Sequence, residues 1–223
     1  MSDGLFGFFD DLVSKGGPLM YPLLLISFLG VAIVVERLLH QYRVRERPGD
    51  VFNRVSAMIR QGQAGEALDF CQVSRGALAR TLGAGLTQFH KERWRLEEIL
   101  AVAGQEQLAH LERFLRPLEV MAAIAPLLGL LGTVTGMMQA FRRVAEVEGT
   151  VSPSLLAGGI WEALLTTATG LTVAIPLLIF LHVFDRKREK TAVELEKFGS
   201  LFVHLRDDML ASGKGPELTR RAG

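Results

Sequence analysis

Glu162 stands in the run GGIWEALLTTATGLTVAIPLLIFLHVF (Gly158–Phe184), where the other polar side chains are four threonines, Thr166, Thr167, Thr169 and Thr172, and His182. An acidic side chain at the bilayer centre costs roughly 2.5–3.5 kcal/mol, so such a carboxylate is paired, protonated or facing water. At about 100° per residue, Glu162, Thr166, Thr169 and Val173 fall within about 60° of one another on a helix. Ala163, Thr167, Gly170 and Ala174 form the adjoining strip, which is small enough to admit another helix closely. The chemistry these residue types support is uptake and release of a proton inside an apolar layer. Each also has a functionless reading. The glutamate can snorkel to the surface or bond a neighbouring helix, and a threonine hydroxyl can bond the carbonyl one turn back.

A second apolar run repeats the design. Gly129, Gly132 and Gly136 follow i, i+3, i+7, bordered by Thr133 and Met137, and Gly132-xxx-Gly136 matches the small-xxx-small packing pattern. The elements that must position these residues are membrane-spanning helices. The stretches 18–35, 120–141 and 155–184 are uncharged apart from Glu162 and His182, and a helix of about 20 apolar residues crosses a hydrocarbon core of about 30 Å. The spans are assigned to 18–39, 117–141 and 155–184. An acidic flank, MSDGLFGFFDDLVSKGG, and the lack of an A-x-A site argue against a cleaved leader.

Of the 25 Lys and Arg residues, 13 lie between Arg37 and Arg116 and 9 from Arg186 onward. The positive-inside bias therefore puts residues 40–116 and the tail 185–223 in the cytoplasm, and residues 1–17 and the loop 142–154 outside. Residues 5–13 have the spacing of a short interfacial helix. The Gly16-Gly17-Pro18 breaker then starts span one, with Pro18 in its first turn. Helices are expected over 50–61, 64–73, 77–90 and 92–116, the last continuous with span two, and the tail continues span three as a charged helix. Leu96, Ile99, Leu100, Ala103, Leu108, Leu111 and Leu115 form an apolar face that must be covered. The fold class is an all-α integral membrane protein with three transmembrane helices and long helical cytoplasmic extensions.

Other chemistries find little support. The lone cysteine, Cys71, cannot form an internal disulfide and reads as a buried thiol. His40, His90, His110, His182 and His204 show no metal-ligand spacing, so no metal or cofactor is expected. GLLGTVTG lacks the Gly-Lys-Ser/Thr of a phosphate loop and lies inside a span, and no soluble-enzyme motif appears. With a net charge of +1 and cations interleaved with acids, nothing points to nucleic acid.

The segments APLLGLLGTVTGMMQAF (Ala125–Phe141) and LAGGIWEALLTTATGLTVAIP (Leu156–Pro176) resemble the second and third spans of the ExbB/TolQ/MotA proton-channel family, nearest to ExbB. GGPLMYPLLLIS and VVERL in span one, and the three-span layout with one long cytoplasmic loop, extend the resemblance over nearly the whole chain. The resemblance implies a homo-oligomeric ring, a pentamer in ExbB, in the bacterial inner membrane and surrounded by its lipids. It further implies an ExbD-like one-span partner with an intramembrane aspartate and delivery of work through a TonB-like protein to outer-membrane transport. Glu162 matches the family's span-three glutamate, and Thr133 and Thr167 match threonines that would face the partner's aspartate; Thr166 and Thr169 would line the same proton path. Bare glycine surfaces would let a partner helix slide or turn. Two departures are Trp161, where small residues are usual, and the lack of the long N-terminal extension of some ExbB proteins. A TolQ-like role in envelope integrity and a passive scaffold are the alternatives. A MotA-like stator fits less well, because that branch has four spans.

Overall fold

Some helix boundaries in this chain fall where the sequence withdraws a backbone donor or places a left-handed residue, as at Pro48 and Gly62. A computed structural model describes the backbone of residues 16–43, 47–146 and 153–212. The expected interfacial helix over 5–13, residues 147–152 of the short loop and the chain beyond 212 lie outside the described residues. All elements among the described residues are helices: α1 Met20–Arg43, α2 Pro48–Arg60, α3 Ala64–Val73, α4 Ala77–Thr87, α5 Arg93–Glu112, α6 Leu115–Ala145 and α7 Pro153–Ala211. Among the described residues, three segments are long and apolar enough to cross a membrane: Met20–Leu39, a stretch within Arg93–Ala145, and a stretch within Leu156–Ala211.

Two boundaries are shaped by a proline, the first of them differing from expectation. Pro18 does not open α1. The turn closes with the Met20 amide donating to the Gly17 carbonyl at 3.1 Å, so Pro18 sits at its second position, where a fixed φ suits it. Between α5 and α6 the hydrogen-bond ladder lapses over a two-residue turn at Arg113–Phe114, although both residues keep right-handed helical backbone angles and Arg93–Ala145 runs on as one stretch. Pro117 has no N–H to offer the Arg113 carbonyl, and its ring crowds that carbonyl, which interrupts the ladder there.

The chain divides into two compact units. One contains the described residues up to Arg37 together with Phe114–Val183, and the other contains Leu38–Arg113 and the chain from Phe184 onward. In the first, Met20, Leu23, Ala125 and Ala174 form a small core against which Ile26, Leu128 and Val173 pack. Its outward surface is apolar: Leu25, Phe28, Val31, Leu127, Leu130, Leu164, Leu171 and Ile175 are all exposed. Small residues inside and large apolar ones outside is the arrangement suited to lipid, where close backbone packing, not apolar burial, drives helix association. Arg37, near the end of the first apolar stretch, is buried and stacks on Phe114 with 3.4 Å from its guanidinium carbon to the ring centroid.

The second unit has the core of a water-soluble domain. Val55, Ile59, Leu82, Leu86, Leu96, Leu100, Phe89 and Phe202 are buried together, as are Cys71 and Leu195. Leu96 and Leu100, from the apolar face anticipated on α5, are thus covered by residues of the same chain. Phe89 and Phe202 meet edge to face at 5.8 Å. Arg206 locks the end of α7 to the α4–α5 connection by donating to the carbonyls of Phe89 and Lys91 and to Asp207. α2 ends in a Schellman motif: Gly62 has φ +79, its amide donates to the Ile59 carbonyl, and the Gln63 amide donates to that of Met58.

Candidate functional site

The glycine column of α6 lies against α7, and the two helices run antiparallel. Successive contacts pair Ala140 with Gly159, Gly136 with Ala163, Gly132 with Thr166, and Gly129 with Thr167 and Gly170. A Cβ added at Gly170 would stand 2.7 Å from the Ala125 carbonyl oxygen and 3.1 Å from the Gly129 Cα, so the two backbones touch. At Gly136 it would stand 3.0 Å from the Ala163 Cβ. The glycines therefore act as packing residues within one chain. On α6 that face is occupied by α7, because only glycine permits so close an approach and α7 supplies the matching small strip.

The threonines divide by what they touch. Thr167 reaches across the pair, its Oγ1 donating to the Gly129 carbonyl at 2.7 Å. Thr169 bonds only one turn back, to the Leu165 carbonyl at 2.9 Å, and Thr133 bonds the Leu130 carbonyl of its own helix at 2.6 Å. Thr133 borders an open, mostly apolar groove along α6 with Val134, Met137, Met138 and Phe141. Thr166 is fully buried, and its Oγ1 stands 2.8 Å from the Glu162 carbonyl and 3.1 Å from the Gly16 carbonyl.

Glu162 is half-buried, one turn before Thr166 on the same face. Its Oε1 packs against Gly17, so closely that a Cβ on that residue would collide with it. Gly17 has φ +70, a left-handed conformation that glycine adopts without strain. Gly16 and Gly17 were legible in the sequence only as a chain breaker; the signal for a further role was two glycines in succession where one suffices to end a segment. Trp161 and Leu164, flanking Glu162, are exposed. Among the described residues no group of three or more His, Cys, Asp or Glu is placed to hold a metal ion.

A buried, small-residue seam beside a carboxylate in an apolar helix narrows the protein classes this chain can be compared with. The profile of the MotA/TolQ/ExbB proton channel family matches residues 73–197. The chain belongs to that family. Among individual relatives, the putative biopolymer transport protein ExbB-like 3 of Synechocystis is 34% identical over 177 residues, covering 76% of this chain and 81% of that protein. The biopolymer transport protein exbB1 of Vibrio cholerae is 30% identical over 189 residues, covering 83% of each. The Tol-Pal system protein TolQ of Pseudomonas aeruginosa is 34% identical over 116 residues, covering 49% of each. The part matched to the MotA/TolQ/ExbB family contains all of α6, Glu162 and the threonines of α7, whereas Gly16 and Gly17 precede it.

Proposed function

We propose that the chain is an ExbB-like subunit of a proton-driven motor in the bacterial inner membrane, with the N-terminus periplasmic and the C-terminus cytoplasmic. The observation that carries this reading is Glu162, a titratable carboxylate on an apolar helix of a proton-channel family member, backed by a seam of glycines and threonines. In this reading several copies, five by analogy with ExbB, form a ring around the span of an ExbD-like partner that contributes an intramembrane aspartate. Glu162 exchanges protons at the outer side. Thr167 and Thr133, with Thr169 beside them, provide the polar lining along which the partner's aspartate is served, and Thr166 stands buried behind it. A proton crossing the membrane potential releases about 2.3 kcal/mol per 100 mV, several times thermal energy, enough to bias a rearrangement of packed helices. Work is delivered through a TonB-like protein to outer-membrane active transport.

Support for ExbB over TolQ comes from the longest alignments, which carry ExbB names and reach 76–83% of this chain, although the ExbB protein of Salmonella typhimurium, 39% identical, aligns over 44% and the TolQ protein, 34% identical, over 49%. The deciding experiment is purification of the tagged protein from its native membrane in mild detergent, with identification of the co-purifying chains by mass spectrometry. An ExbD-like chain with a TonB-like chain is expected. TolR and TolA in their place would move the assignment to envelope integrity. Absence of any one-span partner bearing an intramembrane acid would leave a passive scaffold as the better reading.

A further inference from the structure

Resting on the reading of Glu162 as the proton carrier, we infer that the Gly16–Gly17 turn is its positioning element, with Gly17 setting where the carboxylate sits and Thr166 holding the turn in place. Three contacts converge on this assignment. Glu162 Oε1 packs on Gly17, whose missing Cβ is the space the oxygen occupies. The Thr166 hydroxyl, one helical turn along the same face, donates to the Gly16 carbonyl at 3.1 Å, so one stripe of α7 both presents the carboxylate and grips the turn. Met20, fully buried, closes the other side: a Cβ on Gly16 would collide with its side chain.

The turn is thus flanked by Thr166 on one side and Met20 on the other. A flexible glutamate side chain has three rotatable bonds and loses about 1.5–2 kcal/mol of rotamer freedom when fixed in one place. The main-chain surface at Gly17 restricts that freedom by contact with Oε1. Gly17 and Thr166 are accordingly positioning residues. Thr166 acts through the turn, its single hydroxyl proton shared between the Gly16 and Glu162 carbonyls.

The test uses the full-length chain in its native complex, reconstituted into liposomes. Protonation of Glu162 is followed by infrared difference spectroscopy across pH, its carboxyl band being assigned as the one lost in Glu162→Gln. Gly17→Ala is expected to move the midpoint of that band by at least about half a pH unit, about a threefold change in proton affinity. Gly17→Asn, which tolerates the left-handed backbone but carries a Cβ, is expected to do the same, separating the contact from backbone strain. Thr166→Val keeps the shape, removes the hydroxyl and is expected to shift the midpoint as well, while Thr166→Ser restores it. Glu162→Asp, one methylene shorter, should remove most of the effect of Gly17→Ala. An unchanged Glu162 midpoint in both Gly17→Asn and Thr166→Val overturns the proposal, as does a band that does not titrate in any of these proteins. Proton flux is measured separately. If Glu162→Gln retains full flux while the midpoints shift as expected, the proton-carrier reading fails and the positioning assignment stands.

Discussion

Thr167 of α7 hydrogen-bonds the main-chain carbonyl of Gly129 on α6 at 2.7 Å, a side chain of one apolar helix spending its donor on the backbone of the other. The bond exists because Gly129 and Gly170 bring the two backbones into contact. Interhelical hydrogen bonds in membranes contribute only about 0.6 kcal/mol on average and about 1.7 at most. Thr167→Val, which preserves shape, is therefore expected to lower stability by less than about 2 kcal/mol, measured by unfolding in mixed micelles. In the proposed motor it should reduce energised transport at least tenfold. Normal transport in that variant would make Thr167 a packing residue only.

The seam predicts opposite outcomes for two glycines of the same helix. A Cβ at Gly170 meets the Ala125 carbonyl and Gly129, so Gly170→Ala should destabilise by about 1–3 kcal/mol through overpacking. Gly158 has nothing within 4 Å. Gly158→Ala is expected to be neutral or stabilising by up to about 1 kcal/mol, the helix-propensity difference. Thermal denaturation of the two purified variants against the parent reads both signs at once.

Neutralising the carboxylate separates assembly from work. Glu162→Gln is nearly isosteric, so the Gly17 contact and the α6–α7 seam should survive, and the complex should purify with its usual size and composition. Energy-dependent transport and proton flux should be lost. Full activity in a strain carrying only this variant would remove Glu162 from the mechanism.

Arg37 presents a buried charge whose Nε has no hydrogen-bond partner among the described residues, whose guanidinium rests on Phe114 and whose Nη2 lies 4.0 Å from the Glu36 carboxylate. A desolvated cation against a ring gains about 2 kcal/mol or more, while replacing a buried charge by a well-packed apolar chain is often neutral or stabilising. Arg37→Met should change the melting temperature little or raise it. Phe114→Ala, which leaves the cation buried without the ring, should lower it; the reverse order would show that the charge itself is required for stability.

In the second unit, Phe202 is fully buried against Phe89, and Phe202→Ala should cost about 3–5 kcal/mol. Val193, exposed on the same helix, should tolerate alanine within about 0.5 kcal/mol. Limited proteolysis of the two variants gives the comparison, with rapid cleavage expected only for the first.

Much of this was readable from residue order alone because apolar runs and helical periodicity are local properties. An uncharged stretch such as 120–141 reports a span wherever the rest of the chain lies, and Glu162 on the threonine stripe follows from the rise and twist of one helix. The small strips on α6 and α7 were likewise visible separately, as was the apolar face of α5 that required a cover.

What periodicity does not contain is the partner of each face. The glycine column Gly129, Gly132 and Gly136 reads the same whether its neighbour is a second protein or the next span; tertiary structure assigned it to α7, where Ala163, Thr167 and Gly170 fall in register. Thr166 and Thr167 are adjacent in sequence with the same hydroxyl, yet one grips the Gly16 carbonyl and the other the Gly129 carbonyl, because about 100° of helical rotation points them at different elements. Sequence determined three apolar helices long enough to cross a membrane and the single carboxylate within the stretches 18–35, 120–141 and 155–184. Only the fold decided that Gly17, 145 positions before Glu162 in the chain, shapes the space that carboxylate occupies. A contact that depends on the absence of a side chain leaves no periodic trace in the residues that make it.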